Sequence, residues 1–310
     1  MKNLSAQCHT AGGSVISARL LGIEVIHSLE SPAVSIGASF ACDKMPDEAA
    51  VIKLYGDGKQ LFDGMIDSQS VKTYPAGIIM NVEARSKAGV LLDNEALPQS
   101  YSFVDADTLF SRYIAPFGFT CENKIGRVNL AVYTVKKGIS VWEAFKNFVE
   151  RAYRLTPYVQ GNKVIITREN PVFSGVISNT GAGMHFTELE YIRSPYEIIS
   201  EVVIRNQKGI YSVVVQNEAD IKKGVQRRRY MAPTAELADT AYTDAHMMIN
   251  NSKTAAQEVR VTLPELAEVE LGQGLTINDN AFKLSGFSVK EFTYRVNAAG
   301  SYTDIVLHRY

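Results

Sequence analysis

Two stretches of this chain follow one plan. LFDGMIDSQSVKTYPAGIIMNVEAR (61–85) and KLSGFSVKEFTYRVNAAGSYTDIVLHR (283–309) each lead an apolar–polar segment to a glycine, Gly64 or Gly286. A polar strand then runs to a second glycine, Gly77 or Gly300, and an alternating strand closes on an arginine, Arg85 or Arg309. The two glycines are 13 residues apart in the first copy and 14 in the second, and from glycine to arginine the separations are 8 and 9. Hairpin loops absorb slips of one residue. Glycine turns and alternating strands occur in any antiparallel hairpin. The constraint therefore lies in placement: a β-unit near the start returns at the end, with a long stretch of different character between them.

At 310 residues a chain can bury roughly three quarters of its unfolded surface, so its core needs neither disulfide nor metal. Lys plus Arg total 32 against 33 Asp plus Glu, which leaves no global field to draw the chain to nucleic acid or an acidic membrane; a charge-driven partner must meet a local patch. Cys8, Cys42 and Cys121 are odd in number and lack Cys-x-x-Cys spacing, so they read as reduced thiols of a cytoplasmically made product rather than a disulfide framework or zinc cluster. No segment approaches the roughly 18 uninterrupted apolar residues of a membrane span, and the N-terminus MKNLSAQCHTAGG has no signal-like apolar core.

Along the chain, VSIGASFAC (34–42) and GIIMNVEAR (77–85) alternate as half-buried strands, and Asp57-Gly58 suits a tight hairpin between them. Residues 1–94 are thus expected to form an antiparallel β-barrel domain. VDADTLFSRYIAPFG predicts a helix stopped by Pro116, and SVWEAFKNFVERAYR predicts another, with Ser140 and Glu143 as a capping box and Trp142, Phe145 and Phe148 on its apolar stripe. With a hairpin turning near Gly161 and Asn162, residues 95–170 read as a compact α+β module. The Gly/Ser/Asn-rich stretch 171–184 reads as a connector. Strands return over 185–310, a second β-barrel domain with one helix over 236–259 and a charged loop, KKGVQRRRY.

Motifs for chemistry are scarce. His9, His27, His185, His246 and His308 are scattered and match no metal spacing. Glu188 and Glu190 share a strand face at roughly 6.5–7 Å, a separation compatible with an inverting glycosidase pair, yet nothing nearby supplies the raised pKa such an acid needs. No G-x-S-x-G, G-x-G-x-x-G or P-loop occurs, so neither catalytic residues nor a cofactor or metal is expected. The concentrated charge is Lys222-Lys223 with Arg227-Arg228-Arg229, suited to a solvated strand edge or to gripping a partner's carboxylates.

The order of these features resembles the baseplate hub proteins of contractile-tailed bacteriophages and related injection machines. The resemblance rests on the glycine hairpin closing on Arg85, SVWEAF (140–145) on a helix, and VRVTLPEL (259–266), LGQGLTI (271–277) and LSGFSV (284–289). It implies two similar tail-tube-like barrels per chain and a homotrimer forming a pseudo-sixfold ring between a sixfold tail tube and a threefold central spike. It also implies a place in the virion tail baseplate, with the tape-measure protein as a further partner, and no membrane or tight nucleic-acid contact. On this reading Gly64, Gly77, Gly286 and Gly300 turn the barrels' hairpins and Arg227–Arg229 meet another protein. The alternatives are a carbohydrate-binding or carbohydrate-cleaving tail-tip protein and the tail-tip protein of a non-contractile phage.

Overall fold

A computed structural model describes residues 3–167, 173–233 and 240–309. The first six strands are β1 (Leu4–His9), β2 (Arg19–Ser28), β3 (Ser35–Cys42), β4 (Val51–Gly56), β5 (Lys59–Tyr74) and β6 (Gly77–Ser86). They lie in the order β1-β4-β5-β6-β3-β2, every pair antiparallel. Alternation puts Ile36, Ala38 and Phe40 of β3 and Met80, Val82 and Ala84 of β6 into one core with Ile52 and Leu54 of β4. Asp57 and Gly58 both take positive φ, 49° and 79°, as a two-residue hairpin of the primed type requires.

A middle module follows. It comprises α1 (Val90–Asp93), β7 (Gln99–Val104), α2 (Ala106–Leu109), β8 (Thr120–Asn123), β9 (Leu130–Val135), α3 (Val141–Tyr153), β10 (Tyr158–Gln160) and β11 (Lys163–Ile166). The capping box forms as expected: the Glu143 amide donates to Ser140 Oγ at 3.1 Å and the Ser140 amide to Glu143 Oε2 at 2.9 Å. α3 buries Trp142, Phe145 and Phe148 in the module's core. Beyond α2 the helix widens into a π-turn over Phe110–Ile114 and tightens into a 3-10 turn over Ala115–Phe117. Pro116 sits inside this last turn and Gly118, at φ 80°, ends it, because proline is tolerated in a first turn where its missing amide is not needed.

The remaining strands are β12 (Phe173–Ile177), β13 (Glu188–Arg193), β14 (Glu201–Arg205), β15 (Tyr211–Gln216), β16 (Arg228–Met231), β17 (Gln257–Leu263), β18 (Gly274–Asn278), β19 (Lys283–Asn297) and β20 (Gly300–Arg309). Helices α4 (Glu218–Lys222) and α5 (Ala241–Ala255) flank β16. Six of these strands repeat the opening plan in the order β12-β18-β19-β20-β17-β13. Numbered within each unit, both orders read first, fourth, fifth, sixth, third, second. The fold is mainly β, with two similar units around a small α+β part.

The repeat extends to the pairing register. Ladder partners Val51 and Met65 recur as Gly274 and Ser288, Ser35 and Arg85 as Glu258 and His308, and Tyr74 and Gly77 as Asn297 and Gly300. All are spaced by the same 223 residues. Both long hairpins break register at the same place, between Ile66 and Ser68 and between Val289 and Glu291. Core positions correspond too: Ile36 with Val259, Val82 with Ile305, Ile52 with Leu275, each at most 2 % exposed. Strand β13 matches β2 at a shorter spacing of 166, since Ile26 faces Ser35 where Ile192 faces Glu258. The second unit has gained the segment holding β14–β16 and α5 between β13 and β17. One ladder differs: β12 runs parallel to β18, whereas β1 runs antiparallel to β4.

Several expectations need correction. Gly77 and Gly300, at φ 141° and 138°, open strands β6 and β20 just after the two-residue hairpin turns, whereas Gly64 and Gly286 lie inside strands β5 and β19. Gly64 is a close approach: a Cβ there would sit 2.9 Å from Ile52 Cγ2 and 3.0 Å from Ile36 Cδ1. Gly286, at φ 80°, occupies a bulge against β18. At the common spacing Gly64 corresponds to Phe287, and Arg85 to His308 rather than Arg309. The stretch 171–184 contains β12 rather than only a connector, and the helix expected over 236–259 is seen as Ala241–Ala255, with 236–239 outside the described residues.

Candidate assembly interfaces

Two features of this scaffold are candidates for assembly contacts. The first lies inside the chain. β2 and β19 pair antiparallel from Ile23 opposite Val296 to Ser28 opposite Glu291, which fuses the units into one continuous sheet. Glu24 faces Arg295 across this seam, and the His27 ring stacks on Phe292 with centroids 4.4 Å apart, Tyr294 meeting it edge-on at 6.2 Å. Tyr294 Oη donates to the Ala267 carbonyl at 3.0 Å. Burial pushes the His27 pKa down to about 4, and also lowers that of His308.

The sign of this effect predicts acid sensitivity. A depressed folded pKa means that protons bind the unfolded chain more readily between pH 4 and 6.5, so the stabilisation is complete above about pH 6.5 and is lost as the pH falls toward 4. His27 alone should contribute a loss of roughly 1–3 kcal/mol over that window. Thermal melts from pH 7 to pH 4.5 should show it, and His27→Phe, which keeps the stack but cannot charge, should flatten the profile. An unchanged profile would mean that the seam accommodates the imidazolium.

At the shared bulge each unit carries an ion pair. Asp67 receives Arg85 Nε and Nη2, both at 2.7 Å, and the same guanidinium reaches the two Asp93 oxygens at 3.0 Å, tying the first unit to α1. These hydrogen bonds, with the nearby negative charge, raise the Arg85 pKa further above its ordinary value. At the equivalent bulge Lys290 Nζ meets Glu30 at 2.7 Å. Neither Asp67 nor Lys290 stands out in the sequence, although each precedes its hairpin glycine by the same interval.

The second surface is the outer face of the three-stranded sheet β15-β14-β16. Val202, Ile204 and Val215 point inward against Ala241, Ala245 and Ile249 of α5. On the opposite face, Val214, Val203 and Tyr230 form a cross-strand row, and Tyr211 meets Tyr230 edge-to-face at 5.3 Å and 80°. Tyr211, Val214 and Tyr230 are 43 %, 48 % and 62 % exposed. The three arginines lie on strand β16 and the residue before it, not on a free loop; Arg228, opposite Glu201, shares this outer face, whereas Arg229, opposite Val202, is on the α5 side of the sheet. The Arg227 guanidinium lies 5.7 Å from the Tyr196 ring centre, Arg228 pairs with Glu201, and Arg229 Nη1 donates to the Arg228 carbonyl at 3.4 Å. Glu201 also accepts from Gln216 at 2.6 Å, which with Arg228 holds its pKa low against the effect of desolvation. The result is an apolar, aromatic strip with a basic margin. Its perpendicular tyrosines offer no flat two-ring platform of the kind a sugar stacks on.

Glu188 and Glu190 stand exposed on edge strand β13, opposite Thr262 and Arg260. Among the described residues no three His, Cys, Asp or Glu side chains cluster as a metal site, and no helix is long and apolar enough to cross a membrane.

No family model and no curated protein matches the chain in sequence. Solved structures do match in shape. A tail protein from Neisseria meningitidis MC58 aligns with a TM-score of 0.77 at 13% identity, covering 99% of this chain and 97% of the other. The 43 kDa tail protein of prophage MuSo2 from Shewanella oneidensis gives 0.80 at 14%, over 99% and 98%. An E. coli component of the type VI secretion system, which exhibits structural similarity to the T4 bacteriophage tail proteins gp27 and gp5, gives 0.61 at 8%, over 99% and 77%. The chain has the fold of these bacterial and prophage tail proteins.

Proposed function

We propose that the chain is a structural, non-catalytic hub of a phage-type tail baseplate, acting as a homotrimer in which six β-units make a pseudo-sixfold ring. The observation that carries this reading is the register-for-register repetition of one six-stranded unit within a single chain, already joined side by side through β2 and β19. Three such chains present six near-equivalent units to a sixfold tail tube while keeping a threefold axis for a central spike. The fold shared over nearly the whole length with prophage tail proteins supports a site in the virion tail. The aromatic face edged by Arg228, with Arg227 beside Tyr196 and Arg229 on the same strand, suits an acidic neighbour, either tube, spike or tape-measure protein.

Light scattering on the eluting peak of a gel-filtration column tests this. The expected mass is three times the 34.1 kDa chain, and electron-microscope views down the axis should show six lobes. A strictly monomeric protein at high micromolar concentration, or a ring of any other copy number, would overturn the trimeric hub.

A further inference from the structure

The internal seam has an unused counterpart at each end of the chain. In the seam, the second half of β19 pairs with β20 on one side and with β2 on the other. Its equivalent, the second half of β5, pairs with β6 but among the described residues has no ladder on its other side: β4 covers β5 only as far as Met65. Ser68, Ser70, Lys72, Thr73 and Tyr74 there are exposed. Likewise β2 pairs on both sides, with β3 and β19, whereas among the described residues its equivalent β13 pairs only with β17. Long open edges invite another strand. Each chain therefore holds one completed seam and both halves of a second one, at places that cannot meet within the same molecule's existing sheet order.

We propose that a second copy of this chain completes that seam, the β13 edge of one copy adding antiparallel to the β5 edge of the next. The completed seam sets the register. Moving Thr293–Ile26, Tyr294–Val25 and Arg295–Glu24 by the unit spacings places Ser70 opposite Ile192, Val71 opposite Tyr191 and Lys72 opposite Glu190. The pairing is chemically sound at each position. Lys72 and Glu190 repeat the opposite charges of Arg295 and Glu24. Val71 and Tyr191 are half-buried and already pack on their own units' cores. The segment running beside β5, where the Ile66 amide donates to the Ala50 carbonyl at 3.1 Å, matches the one beside β19, where Val289 donates to Gln273 at 2.9 Å. Since β2 fits past the latter, β13 has room to fit past the former. One bond is not repeated: the Leu29 amide donates to the Lys290 carbonyl at 2.9 Å, but Pro195 stands at the Leu29 position and has no amide hydrogen, so the ladder ends at Ser194. Such a contact joins two different surfaces, head to tail, and generates a ring wherever the rotation closes.

This inference concerns how copies meet and does not depend on how many close the ring, the point on which the hub reading rests. The test is a cysteine pair, Ser70→Cys with Ile192→Cys, in the full chain carrying Cys121→Ser so that the remaining thiols, Cys8 and Cys42, are buried. Directly opposed residues lie within disulfide reach, whereas a shift of two along the strand exceeds the roughly 7 Å limit between Cα atoms. Mild oxidation should give covalently linked copies on a non-reducing gel, and the shifted pair Ser70→Cys with Glu190→Cys should give few. Lys72→Glu and Glu190→Lys should each weaken association by up to about fivefold per contact, and together restore it. A trimer by scattering that fails to cross-link would sink the edge pairing and leave the hub standing. Cross-linked rings of another copy number would support the edge pairing and sink the threefold hub. A protein that neither associates nor cross-links, or that cross-links equally in the shifted pair, overturns the inference.

Discussion

Phe148→Ala should destabilise the middle module by about 3–5 kcal/mol, the cost of removing a large aromatic from a core that relaxes only partly around the cavity. Phe148 has no solvent exposure and meets Tyr133 edge-to-face at 5.2 Å and 85°, while Tyr133 in turn donates to the Ala144 carbonyl at 2.6 Å. The ring therefore sits where α3 and β9 are locked together. Urea unfolding at fixed protein concentration measures the effect; the concentration must be held because association adds to apparent stability. A typical domain has only about 5–15 kcal/mol to lose, so the midpoint should move far. A change below about 1 kcal/mol would mean that α3 is not the module's organising element.

Gly64→Phe gives the first unit the residue that the second carries at the same register, and it should cost about 3 kcal/mol or more. At Gly64 even a Cβ would press on Ile52 and Ile36, at 2.9 and 3.0 Å. In the second unit Phe287 occupies this level, buried to 1 % exposure, with Val259 in place of Ile36 and Leu275 in place of Ile52. The two cores thus share a ladder but distribute volume differently. Gly64→Ala should cost about 1–2 kcal/mol by the same crowding, and adding Ile36→Ala to Gly64→Phe should recover part of the loss. Full stability of the single Phe variant would show that the cores are interchangeable in detail.

How much of this was legible depends on how local the signal is. The Ser140 capping box, the Asp57-Gly58 turn and the alternation of β3 and β6 are written in neighbouring residues, and the structure shows them in place. The duplication was visible at Gly77 and Gly300 for the same reason. Its outer anchors were misaligned by one residue because a glycine in sequence does not announce which demand it meets: Gly64 admits neighbouring side chains, Gly286 permits a bulge, and Gly77 leads out of a hairpin turn. β12 was hidden because FSGVI pairs parallel at one side of the second unit, where its partner lies about a hundred residues away. The basic run Arg227–Arg229 was found by composition, but the tyrosine strip beside it depends on β14, β15 and β16 coming together across a long insertion. Open strand edges are least legible of all, since an edge is defined by what fails to pair.

The insertion has a geometric corollary. The two units agree in ladder and bulge, but only the second carries β14–β16 and α5, where the first crosses from β2 to β3 in a short loop. In a ring assembled from alternating units of this kind, that appendage would protrude at every other position. A crown that is even on its shared sheets would thus bear half as many projections as lobes, and the mismatch between two neighbouring rotational orders would reside in these once-per-chain appendages rather than in the barrel walls.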